Sequence, residues 1–287
     1  MYYWLIVLSV VMFGGCFALQ DVYRKMRGSH LRVSLENALA GSVTGFFVLL
    51  VINAFQIEFT VFTFSVALLA ALNNIAFTFC SFKALDKINL SLFSMFSMLG
   101  GMVIPFLQGI VFFGEKLTLA KMLCLLLVGT ALCLTVSRSK KKKGMLYNVG
   151  IFVLNGMSGV LSKIFTSASF EKTSNVGYSI WIAICTAAVS GVALFIISQK
   201  QLTPSPYRLK TFGIDAARGM GNQIANLLLV IALAHVDASV QFPMVTGGVM
   251  IVSTLLCFFG PRKPSKREIA AVILAFAGML ALFVMPI

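Results

Sequence analysis

FSMLGGMVIPFLQGIVFFG, residues 96–114, and FPMVTGGVMIVSTLLCFFG, residues 242–260, are two versions of one segment set 146 residues apart. Seven of the 19 positions are identical, among them the opening Phe and Met and the closing Phe-Phe-Gly. A shift of 148 carries the match upstream, laying Asn74 on Asn222, Ala84-Leu85 on Ala232-Leu233 and Ser91 on Ser239. The chain therefore reads as an internal duplication, and the content of each copy decides the fold.

Around these segments the chain is apolar almost throughout. Of its 287 residues, 59% are hydrophobic and only 11% charged, with a mean hydropathy of +0.95; soluble domains run near 45–50% and about 25%. A water-soluble domain is excluded. Breaks at charges and at Pro/Gly clusters leave ten apolar segments, near 3–22, 34–56, 60–82, 90–113, 119–137, 146–168, 177–198, 211–234, 238–259 and 267–285. A bilayer crossing takes about 20 apolar residues, and in lipid a lone segment must satisfy its own backbone hydrogen bonds, so each is expected to be a helix. Strands of an outer-membrane barrel would be half as long and would alternate. The expected fold is all-α, an integral membrane protein of ten transmembrane helices.

Each copy then holds five crossings, an odd number, so the copies are expected to lie in opposite orientations about an axis in the membrane plane. The division is residues 1–138 for the first five-helix repeat, 139–145 for a basic linker and 146–287 for the second repeat. The N-terminal run MYYWLIVLSVVMFGGCFAL has no basic residue before it and no small-residue cleavage site, which makes it a retained first span.

The net charge of +14 is unevenly placed. Eighteen of the 23 Lys and Arg fall in the odd-numbered connections, including Arg24, Lys25, Arg27 and Arg32 in the first and Arg138 with Lys140 to Lys143 in the fifth. The positive-inside rule makes these connections cytoplasmic and places both termini outside. The lysine run lacks the aromatic interleaving of a nucleic-acid surface, so its expected contact is water or anionic membrane lipid, with no nucleic acid. The six cysteines lie inside apolar segments without close pairs, and two histidines accompany them; no metal or other cofactor is expected.

Intramembrane polar side chains are costly and turn toward the bundle interior. Segment 8 carries most of them. Asp215, Arg218, Asn222 and Asn226 are spaced by 3, 4 and 4, which sets them on one helical face with Gln223 beside them. From an entry near Thr211, Arg218 lies roughly 10 Å deep and Asn222 roughly 16 Å. This face either binds a solute, with Arg218 holding a carboxylate and the amides supplying donors and acceptors, or pairs internally and glues neighbouring helices. Asn74, the counterpart of Asn222, is expected across the pseudo-two-fold axis. Tyr178 and Trp181 open segment 7 either as interfacial anchors or as a wall over a cationic or aromatic ligand. Gly41 with Gly45 at four-residue spacing serves close helix packing. Pro105 and Pro243 interrupt their helices and are expected to be flexing points.

Three absences shape the function. No Gly-rich Lys-Ser/Thr loop offers ATP drive, and no nucleophile or acid–base constellation marks an enzyme. No carboxylate lies near a segment midplane either, since Asp215 sits only about 6 Å in, so facilitated diffusion or exchange is expected over tight proton coupling.

With its two five-helix halves and the Phe112-Phe113-Gly114-Glu115-Lys116 end of segment 4 running into apolar segment 5, the chain resembles the EamA-like branch of the drug/metabolite transporter superfamily. The turn FFGPRKPSKRE before segment 10 is the second copy of that motif, with Pro261 where the family usually has Glu. The resemblance covers essentially the whole chain. It implies transport of small organic solutes through a central cavity, family members handling amino acids, amines, sugars and drugs in both directions. It also implies a role for Asn155-Gly156 and Lys163 in the first helix of the second repeat, although the equivalent of Lys163 in the first half is Asp21; a snorkelling ammonium is the other reading of Lys163. The expectation that follows is a monomeric or homodimeric multi-pass carrier of the inner or plasma membrane. Its solute would be a small polar or zwitterionic metabolite, an amino acid first, with a cationic amine or drug as the alternative.

Overall fold

The computed structural model describes residues 2–113, 118–135, 142–200, 209–233, 235–236, 238–260 and 262–284. These residues form ten α-helices and no strand: α1 Tyr3–Arg27, α2 Leu31–Ile52, α3 Val61–Leu85, α4 Leu90–Phe113, α5 Leu119–Thr135, α6 Lys142–Ser167, α7 Asn175–Lys200, α8 Leu209–Leu233, α9 Ala238–Phe258 and α10 Lys266–Val284. Each expected segment is a helix. Six of them, α1 to α4, α6 and α7, are long and apolar enough to cross a membrane. The apolarity of α8 is diluted by Asp215, Arg218 and its amides. Glu115, Lys140, Lys141 and Pro261 lie outside the described residues, as does the side chain of Pro243.

The ends differ from the expected ones for local reasons. The first helix continues past 22 to Arg27 because its last turn carries Arg24, Lys25 and Arg27, favourable at a helix C-terminus, with Asp21 paired to Lys25 one turn back. It stops at Gly28, whose φ of 89° suits a residue without a Cβ. The second helix ends at Ile52, before 56, where Ala54 and Phe55 take positive φ in a tight turn. Thr60 caps α3, its hydroxyl accepting from Thr63 N at 3.2 Å. The sixth helix begins at Lys142, inside the stretch read as linker.

The packing is patterned. Helix α1 packs on α8 and α9, and α6 packs on α3 and α4; α2 packs on α8 as α7 packs on α3; α2–α7, α4–α9 and α5–α10 are further pairs. Exchanging helices 1–5 with 6–10 therefore returns the main partnerships. Directions follow the same exchange. Ser9 donates to Ala225 O at 3.0 Å and Cys16 to Arg218 O at 3.5 Å, so α1 and α8 run antiparallel. Asn73 donates to Leu154 O at 2.9 Å and Cys80 lies against Gly150, so α3 and α6 do too. Val10 on Gly248 and Gly14 on Val252 make α1 and α9 parallel, as Gly100 on Phe152 and Ile104 on Gly156 make α4 and α6.

The largest core joins α4, α5, α9 and α10 to the ends of α3 and α6, around Phe93, Met95, Leu99, Met250 and Met279. A buried hydroxyl pair, Ser91 with Thr254 at 2.7 Å, ties α4 to α9. Pro105 sits within α4 against Gly159, and the helix continues through it.

Candidate functional site

The other six helices, α1, α2, α3, α6, α7 and α8, surround a cavity of about 560 Å³. That is the size of a small-molecule site. Its wall reaches Ile52 at the end of α2 and Asn175 at the start of α7, and stops in the other direction at Gln20, Ala38 and Arg218.

Five of the residues singled out from sequence line it together: Arg218, Asn222, Gln223 and Asn226 from α8 and Asn74 from α3. The helical spacing explains the first group, since positions 218, 222 and 226 repeat at four with 223 alongside. Asn226 donates to Asn222 O at 2.9 Å, which leaves its carbonyl oxygen for other donors. Asn74 shares the cavity with Asn222.

The other five do not line it. Asp215 is fully buried one turn from Arg218 and accepts from the side-chain amide of Asn37. Asn155 turns toward α4, donating to Ser97 O at 2.6 Å and lying against Gly101. Tyr178 is buried and stacked on Phe165 at 4.2 Å. Trp181 donates to Glu58 O at 2.7 Å and packs edge-on against Phe59 and Phe64. Lys163 is half-buried on α6, away from the wall, although Ser158 and Ser162 beside it do contribute.

Among the described residues Arg218 is the only formally charged side chain on the wall, and none of them brings a carboxylate to it. Its Nη2 donates to Asn37 O at 3.1 Å. Its buried Nε has no acceptor among the described residues. The slot for this guanidinium exists because α2 carries Gly41: a Cβ there would collide with Nη2. Gly45, one turn on, faces Gln223 in the same way, its Cβ position 3.2 Å from the Gln223 side chain. Helices α2 and α8 run parallel here, so Asn37, Gly41 and Gly45 meet Asp215, Arg218 and Gln223 in order. The small residues thus admit polar head groups as well as a neighbouring backbone.

Asn37 and Gln20, buried polar residues in apolar helices, are parts of this region that the reading of segment 8 missed. The signal was the same one, an amide inside an apolar run. Asn175 and the hydroxyls of Ser42, Thr78, Ser158, Ser162, Ser179 and Thr186 add to the polar wall; hydroxyls at such positions satisfy their own helix as readily as a ligand and carry no distinct sequence mark.

Below Arg218 the bundle is shut. Tyr23 meets Phe82 edge-on at 5.9 Å, with Val33 and Ile214 around them. Beyond this plug, Arg24 bridges Asp21 and Asp86, each at 2.9 Å, and Glu36 takes both Arg27 and Arg32. This end of the molecule bears the basic first connection.

No family model matches the chain, and no curated protein matches it. Solved structures do. One, described as "Crystal structure of protein", superposes with a TM-score of 0.61 over 97% of this chain and 99% of that chain at 16% sequence identity. A likeness at that identity shows the fold alone.

Proposed function

We propose that this protein is a ten-span carrier built from two inverted five-helix repeats, similar to the EamA-like drug/metabolite transporters, which moves a small polar or zwitterionic metabolite across the inner or plasma membrane. The observation that carries the reading is the polar cavity enclosed by six helices, closed at one end by an aromatic plug backed by ion pairs and at the other by packed side chains alone. A cavity of this kind supports alternating access, in which the solute site faces one side at a time. The exchange of helix partnerships between the two halves, and their matched directions, support the inverted repeat.

An amino acid is the leading solute. Arg218 holds its carboxylate, and Asn222, Gln223, Asn226 and Asn74 engage its other polar groups. The amine reading drew on Asp215, Tyr178 and Trp181, and none of the three lines the cavity. A wall to which no described residue brings a carboxylate supports facilitated diffusion or exchange.

The test is counterflow in proteoliposomes loaded with single unlabelled amino acids, following entry of the labelled one. Uptake above protein-free vesicles, abolished by Arg218→Ala, is the expected result. Uptake of choline but of no amino acid would replace the leading solute by the amine. Ligand binding itself is visible as thermal stabilisation, about 2.7 kcal/mol at 100 times the dissociation constant.

A further inference from the structure

We infer that α2 builds a carboxylate cradle on the cavity wall, in which Gly41 and Asn37 are positioning residues for Arg218 and restrict the site to solutes that present a carboxylate. The inference rests on the carrier reading for its solute, but the cradle is a binding geometry and is testable without transport.

Three features fix the guanidinium. Its Nη2 donates to the Asn37 carbonyl, which anchors one edge of the planar group. The hydrogen in place of a side chain at Gly41 leaves the room that edge occupies. On α8 itself, Gly219 lies against the Gly41 backbone and Thr44, which brings the two helices together at this level. A planar fork held along one edge can offer the other edge to two oxygens at once, the geometry in which Arg binds carboxylates and Lys does not. The counter-charge is kept off the wall: Asp215 is fully buried behind Arg218, its carboxylate engaged by the Asn37 side chain. Asn37 thus holds both members of the pair, the cation through its backbone and the anion through its amide. The result is a wall whose single charge among the described residues is positive and aimed, with the Gln223 amide seated next to it in the Gly45 slot.

A cation meets repulsion from Arg218 and no carboxylate on the wall to offset it. An uncharged amide loses the charge-assisted pair. A small carboxylate with hydrogen-bonding substituents gains both the fork and the amides. Gly41 is the residue that sets this preference, because a methyl group there pushes only the far end of the Arg218 side chain, a cheap displacement for folding and a costly one for aim.

The experiment is titration of the full chain in detergent with four probes: L-serine and L-lactate, lactamide as the uncharged counterpart of lactate, and choline. The expected result is binding of the two carboxylates only. Gly41→Ala should weaken lactate about tenfold or more, the scale of a misaligned charge-assisted hydrogen bond, while the melting temperature of the unliganded protein stays near that of the parent. In an Arg218→Lys background, whose compact ammonium does not need the slot, Gly41→Ala should add nothing, which a merely structural role for the glycine would not produce. If Gly41→Ala does not fold, Arg218→Lys with the glycine intact keeps the test: it should lose the preference for lactate over lactamide, and an unchanged preference overturns the cradle. Equal binding of lactamide or choline, an equal penalty of Gly41→Ala in both backgrounds, or no binding of either carboxylate overturns the cradle. Counterflow of some other solute in that last case would leave the carrier reading standing.

Discussion

At the basic end, α1, α2, α3 and α8 converge on Tyr23, Val33, Phe82 and Ile214; at the opposite end, α6, α7 and α3 converge on Phe165, Tyr178, Phe62 and Val66. The exchange of halves carries α1, α2 and α8 of the first plug onto α6, α7 and α3 of the second; the α3 contribution, Phe82, has no α8 counterpart there among the described residues. What differs is the layer outside. The basic end adds an ionic clasp, in which Arg24 joins Asp21 of its own helix to Asp86 after α3, and Glu36 on α2 draws in Arg27 from α1. At the opposite end, Lys172 caps the carbonyls of Phe165, Thr166 and Ala168, and Thr173 N donates to the hydroxyl of Thr63 on α3, contacts that carry no ion pair among the described residues. The cavity reaches that second end and stops short of the clasp. The two ends are thus shut with unequal strength, because among the described residues ion pairs back the plug at the basic end alone.

The comparison can be broken from either side. Phe165→Ala removes a fully buried ring stacked on Tyr178 and Phe62, and a loss of about 3 kcal/mol of stability is expected from the cavity it leaves. Thermal unfolding of the detergent-purified protein measures it, and a loss under about 1 kcal/mol would mean that the aromatic layer is not what holds this end. Arg24→Ala leaves Asp21 and Asp86 without their shared cation. Arg24 is 9% exposed but Asp86 is 51% exposed, so about 2 kcal/mol is expected, between the surface and buried limits. The same variant should open the basic end: a cysteine placed at Ala38, on the cavity floor, should become reactive toward an impermeant maleimide from that side of oriented vesicles. Unchanged reactivity there would show that the aromatic plug alone closes it. The smallest effect is that of salt. Screening shortens from about 10 Å at 0.1 M to about 3 Å at 1 M, yet Arg24, Arg27 and Glu36 are mostly buried. The clasp should lose less than about 0.5 kcal/mol over that range, read as a small fall in melting temperature in the parent that Arg24→Ala lacks.

Much of the fold was open to inspection in the chain alone. Ten apolar runs gave ten helices because run length and hydrogen-bond demand in lipid leave little choice. Their ends were harder to read: α1 runs on through Asp21, Arg24 and Lys25 because those charges satisfy one another along the helix, which makes a charged stretch helical where a charge cluster had marked a connection. The site was half visible. Spacing along one helix placed Arg218, Asn222, Gln223 and Asn226 on a common face, and the repeat supplied Asn74. It could not tell Asp215, on the same face, from its neighbours, because what removes Asp215 from the wall is Asn37 on another helix. Asn155 and Tyr178 show the same limit: one found a carbonyl on α4, the other a ring on its own hairpin.

Composition, period and internal repetition thus determined by themselves the all-helical class, the number of helices and the helix that carries the polar face, since these depend on each segment's own length and on the 3.6-residue turn. Which polar groups meet in the cavity, which pair behind it and which end is clasped were decided only by the tertiary structure. A side chain's partner lies on a different helix, and its access to a solute depends on whether that partner, here Gly41 for Arg218 or Asn37 for Asp215, makes room for it or covers it.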